Sequence, residues 1–105
     1  MTLYRQGDVL LVRVGGVVGE TVPVPRESGR VVLAHGEATG HAHGIEDAHA
    51  ELVRVEEPEE LYLLVHGEPA MLVHEEHDAI TIPAGVYRIV RQREYAPERP
   101  RSVED

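Results

Sequence analysis

Glycine and proline cut this chain into short β-branched runs, and no segment sustains the 3.6-residue apolar period that a helix needs. The runs are bounded by GGVVG, PRESG, EEPEE, HGEP and PAG, whose residues have turn-forming backbone preferences. Strands are expected near 8–14, 21–24, 30–34 and on toward 43, 52–56, 61–66, 70–73, 79–82 and 86–93. About eight strands this short suit an all-β single domain, a small barrel or a sandwich, since closure or face-to-face packing deals with exposed edges. The pattern also allows a short helical turn at 46–50 or in HEEHD.

The core must be built from Val, Leu, Ile, Ala and Tyr, because the chain has neither Phe nor Trp. With 105 residues there is material for one core, and splitting it would leave halves too small to stand alone. The expected organisation is one β domain over 1–95, followed by a flexible, Pro-rich and charged tail over 96–105.

Several chemistries are excluded by absence. Without cysteine there are no disulfides, thiolate nucleophiles or cysteine zinc sites. Without lysine there is no phosphate-loop lysine and no Schiff base. Ser28 and Ser102 both lie outside any nucleophile-elbow context. The formal net charge of -9 repels phosphate backbones and anionic membrane surfaces, and Arg88, Arg91, Arg93, Arg99 and Arg101 are interspersed with Glu94, Glu98, Glu104 and Asp105. Nucleic acid and membrane are therefore disfavoured as partners. The N-terminus has no signal-peptide pattern, and no apolar run approaches the ~20 residues of a membrane span, so a cytoplasmic protein is expected.

What remains for chemistry is mainly seven histidines and many carboxylates. In AHGEATGHAHGI, odd positions carry His35, Glu37, Thr39, His41 and His43, and even positions carry only Gly and Ala. On a strand these sets face opposite ways. One strand over 30–45 would be far longer than usual, so a bend or bulge at Gly36 or Gly40 is expected, with His41 and His43 left on one face about 6.5 Å apart. A second pair, His74 and His77, brackets Glu75 and Glu76 in LVHEEHD. Its spacing of three, in strand and turn, is not that of the helical zinc-protease motif.

Convergence of the two pairs would place His41, His43, His74 and His77 around one ion, with Glu37 as a weaker oxygen donor. Imidazole and carboxylate ligands suit a divalent transition metal, Zn, Fe, Ni or Mn, without distinguishing among them. An open coordination position would polarise a water, with Glu75 or Glu76 as the proton acceptor. His35, His49 and His66 are weaker candidates. The plain alternative is a Gly-rich loop and solvated surface histidines.

Two resemblances bear on these residues. GHAHGIE resembles the His-x-His and downstream Glu of the first cupin motif, and HDAITIPAGVY resembles the second; this implies a jelly roll and a metal role for His41, His43 and Glu46. Here His77 stands in place of a glycine and Arg88 in place of the last histidine ligand. More closely, QGDVLL, GEATGHAH, HEEH, PAGVY and QREY, spread from Tyr4 to about Pro97, resemble a family of small uncharacterised bacterial and phage proteins. That likeness implies no activity, but it groups GHAH with HEEH.

The expected function is that of a histidine-lined metal-binding β domain. The alternative is a non-enzymatic adaptor or ligand-binding module that uses the same imidazoles without metal, as hydrogen-bonding groups tuned near pH 6.5. Either is compatible with a small-molecule or protein partner and with a homo-oligomer. The sequence assigns no reaction.

Overall fold

The computed structural model describes residues 2–36 and 41–92. Ten strands are found among them: β1 (Leu3–Gln6), β2 (Val9–Val14), β3 (Thr21–Pro23), β4 (Val31–His35), β5 (Ala42–Ile45), β6 (Ala50–Glu56), β7 (Glu59–Val65), β8 (Ala70–His74), β9 (His77–Ile82) and β10 (Gly85–Arg91). They form two antiparallel sheets, ordered β1-β2-β10-β7-β6-β3 and β4-β5-β8-β9. The result is an all-β sandwich, and among the described residues the sheets do not close into a barrel.

Two of the ten strands go beyond the expected eight. β1 is too short and polar to register as a periodic run, and it exists because it pairs with β2 from Leu3↔Val12 to Gln6↔Val9. The run expected from 30 toward 43 is two strands, because the chain reverses after His35 and returns so that His35 faces Ala42. Gly36 N–H closes that reversal on the His41 carbonyl at 2.8 Å. The β4–β5 pairing is also irregular, between Val32 and Ala34. No helical turn forms at 46–50 or in HEEHD; both are turns between strands. The tail over 96–105 lies outside the described residues.

Alternation decides what each strand buries. In β2, Val9 and Leu11 are inaccessible while Leu10 and Val12 are half-buried, the pattern of a strand with one face on the core. Val9, Leu11, Leu52, Leu63, Val65 and Tyr87 of the first sheet pack in one cluster with Val31, Leu33, Ile45, Leu72 and Ile82 of the second. Tyr87 takes the space that a Phe or Trp would otherwise fill; its hydroxyl donates to the Pro83 carbonyl at 2.7 Å, so burial leaves no unpaired polar atom there. β5 is buried at all four residues because β4 and β8 flank it.

No helix among the described residues is long and apolar enough to cross a membrane.

Candidate functional site

The register of the second sheet builds a row of histidines. His74 and His77 flank the two-residue turn Glu75-Glu76 and are paired directly across the β8–β9 hairpin. Gly44 of β5 pairs with Val73 of β8, so in antiparallel register the preceding His43 comes opposite the following His74. Ring centroids follow this register: His43–His74 4.3 Å, His74–His77 4.6 Å and His43–His77 5.9 Å. His41, two residues before His43, stands with its ring 5.8 Å from that of His74. All four imidazoles singled out from the sequence thus meet at one place.

Glycine makes room for them. In the turn between β1 and β2, Gly7 has φ +61°, and a Cβ there would lie 2.6 Å from His77 Nε2. A Cβ on Gly36 would meet the His41 Cβ at 3.0 Å and His74 Nε2 at 3.4 Å. Gly7→Ala should therefore both strain the turn and push the His77 ring aside. A loss of about 1 kcal/mol or more in urea unfolding is expected, with a displaced His77 resonance in the folded protein.

His43 is the buried member, only 2% exposed. Its Nδ1 lies 2.9 Å from Gln6 Oε1. The direction of the Gln6 amide is set by its nitrogen, which donates to the Leu72 and Asp78 carbonyls, both at 3.0 Å, where β8–β9 pairing is irregular. Gln6 Oε1 must then accept, so His43 carries its hydrogen on Nδ1 and a lone pair on Nε2. Asp8 Oδ1 is 3.6 Å from that Nε2, while Asp8 Oδ2 accepts from Arg91 Nε and Nη2 at 3.3 and 3.2 Å. Burial first, and then the neighbouring His74, push the His43 pKa down to about 4; Asp8 opposes this, and His77 and Arg91 add to it. Burial thus favours the neutral form of the His43 ring.

His74 is oriented differently. Its Nδ1 accepts the Glu76 backbone N–H at 3.0 Å, so neutral His74 carries its hydrogen on Nε2. A donor and an acceptor imidazole therefore stand side by side. Among the described residues no three His, Asp or Glu groups are already disposed to hold a metal ion.

The other candidates fall around this row. Glu75 Oε1 accepts the Ala42 N–H at 3.0 Å, and that bond holds its carboxyl below the usual range, making it a weaker base. Glu76 Oε2 lies 3.6 Å from His41 Nδ1. Glu37 lies outside the described residues. Glu46, exposed just past β5, lends its backbone carbonyl to Arg26. His35 pairs with Glu27, His66 with Glu51, and His49 reaches the Pro69 carbonyl, so these three stand apart from the row. A cleft of about 420 Å³, lined by Leu33, Glu59, Glu60, Leu61 and Arg88, shares Arg91 with the site.

Sequence reasoning missed Gln6 and Asp8. Their stretch, QGDVLL, reads as an ordinary turn entering a strand, and both residues owe their role to what they touch across the sandwich.

A family model described as a domain of unknown function, DUF8820, matches residues 5–92, most of the chain. The chain belongs to the DUF8820 family. The matched region of this DUF8820 protein contains the whole histidine row together with Gln6, Asp8 and Arg91. No curated protein and no solved structure matches it.

Proposed function

We propose that this domain binds a divalent transition metal ion through His43, His74 and His77, with His41 at the rim. The observation that carries this is the spacing of the three rings. Imidazoles bound to one tetrahedral ion at 2.0–2.1 Å have centroids about 5 Å apart; these lie at 4.3, 4.6 and 5.9 Å. These spacings bracket that value and support the reading, and side-chain rotation is needed to aim the nitrogens at one point. For His74 this means releasing the Glu76 N–H, which lies in an exposed turn where water replaces the bond at a cost of about 1 kcal/mol.

Protein purified without a histidine tag should retain a transition metal in elemental analysis. After stripping, added Zn2+ or Co2+ should raise the melting temperature, and the Glu76 amide should lose its protection against hydrogen exchange. An unchanged melting temperature with every added ion would rule the proposal out.

A second function is favoured by the bond from Glu76 to His74. With His74 Nε2–H as donor beside His43 Nε2 as acceptor, the row matches a neutral organic ligand such as an amide or alcohol without any metal. Its mark is ligand binding that survives chelation and is lost as the pH falls toward 4, where His43 Nε2 takes up a proton.

A further inference from the structure

The six-stranded sheet is apolar on both faces. Where one face of an antiparallel sheet meets water, apolar and polar residues alternate, yet β2 reads VLLVRV and β7 reads EELYLLV. Val9, Leu11, Leu63, Val65 and Tyr87 face the core, which turns the residues between them outward. One register row crosses all six strands on that outer face: Leu3, Val12, Arg88, Tyr62, Val53 and Pro23. Val14, Val86 and Leu64 pair beside it in one direction, and Leu10 and Val90 in the other. Arg88, the one charge in the row, lies 3.7 Å from Glu60 Oε2, while Glu60 Oε1 accepts the Tyr62 hydroxyl at 2.6 Å. Leu3 is 52% exposed, and Leu10, Val12, Val86, Val90 and Leu64 are half-buried, although the four-stranded sheet packs on the opposite face. A contiguous apolar patch of this breadth marks an interaction surface.

The charges on this face identify the occupant. On the half formed by β1, β2 and β10 they are Arg5 and Arg88, with no carboxylate; on the half formed by β7, β6 and β3 they are Glu60 and Glu51, with no base. The boundary between the halves runs between β10 and β7, the middle of the sheet. A two-fold axis along that line lays each half of one copy over the opposite half of another, so the pattern complements itself. Six strands about 4.8 Å apart and about 20 Å long present on the order of 500 Å² per copy, and a pair of copies reaches the roughly 1,000 Å² of a specific interface. We infer that the outer face of the six-stranded sheet packs against the same face of a second copy of this chain, forming a two-fold dimer with the apolar row at its centre. The histidine row belongs to the other sheet, so the dimer leaves it uncovered and stands apart from any metal or ligand bound there.

Sedimentation velocity on the full chain tests this. Wild type should sediment as a dimer at micromolar concentrations. Leu64→Arg, which sets a charge in the apolar centre of both copies, should raise the dimer dissociation constant about 100-fold or more while leaving the circular dichroism spectrum unchanged. Arg5→Glu alone should weaken the dimer, because it sets carboxylates face to face, and adding Glu51→Arg to it should recover part of the loss. A partner of other chemistry gives no such recovery. If Leu64→Arg fails to fold, the Arg5→Glu pair decides by itself, since both of its residues are exposed. Wild type that stays monomeric at every concentration overturns the inference, and binding of that monomer to phosphatidylcholine vesicles would give the face to a membrane instead. A dimer that Leu64→Arg and Arg5→Glu both leave intact overturns it as well, because the copies then meet elsewhere.

Discussion

His43→Ala should abolish the rise in melting temperature that Zn2+ or Co2+ gives the wild-type protein, and should also weaken the metal-free fold. Both effects follow from the position of one ring. His43 is the member of the row that touches both His74 and Asp8, so no rearrangement of His74 and His77 alone restores its lone pair. It is also buried, and its removal leaves Gln6 Oε1 without its hydrogen-bond partner beside an empty ring-sized space. An unpaired buried polar atom and a cavity together cost about 2–4 kcal/mol. Urea unfolding measures the second effect, and thermal melts with and without added metal measure the first. His49→Ala is the control, since that half-buried side chain bonds the Pro69 carbonyl away from the row and should leave metal response intact. Equal metal response in the two variants would place the metal elsewhere.

The metal-free protein should lose stability on mild acidification, before most carboxylates titrate. His43 has a folded pKa of about 4 against an unfolded value of 6.5. Between those values the unfolded chain binds the extra proton and the folded one does not, so protons pull the equilibrium toward unfolding. The contribution is therefore fully present above pH 6.5, falls as pH drops through the window, and is gone near pH 4. Its size is about 2–3 kcal/mol, allowing for some solvent screening at the mouth of the row. Unfolding free energies at pH 7 and pH 4.5 test this in wild type and in His43→Gln, which does not titrate. A wild-type slope no steeper than that of the variant would show that His43 is not held neutral by the fold.

The all-β class was legible because β-branched runs, punctuated by Gly and Pro, leave no other way to bury the apolar residues. The pairing of GHAH with HEEH was legible in part. A histidine on each side of a two-residue turn must become a cross-strand pair, and His-x-His on a strand must share a face; both hold here. Parity alone would have kept His35 with the later pair, and the expected bend is what separates them. The chain reverses between it and His41, and His35 ends up exposed beside Glu27.

What the order of residues determined by itself was local: strand, turn and face, and hence the two histidine pairs and the glycines that leave space around them. Only the tertiary structure decided that the pairs lie side by side, since that depends on Gly44 meeting Val73 between strands that the sequence does not declare to be neighbours. Only it could bring in Gln6, 37 positions from His43, and with it the tautomer that gives the buried ring a lone pair facing Asp8. Periodicity encodes which way a side chain points. The direction of a buried hydrogen bond depends on every partner of its donor and acceptor, and those partners come from both sheets.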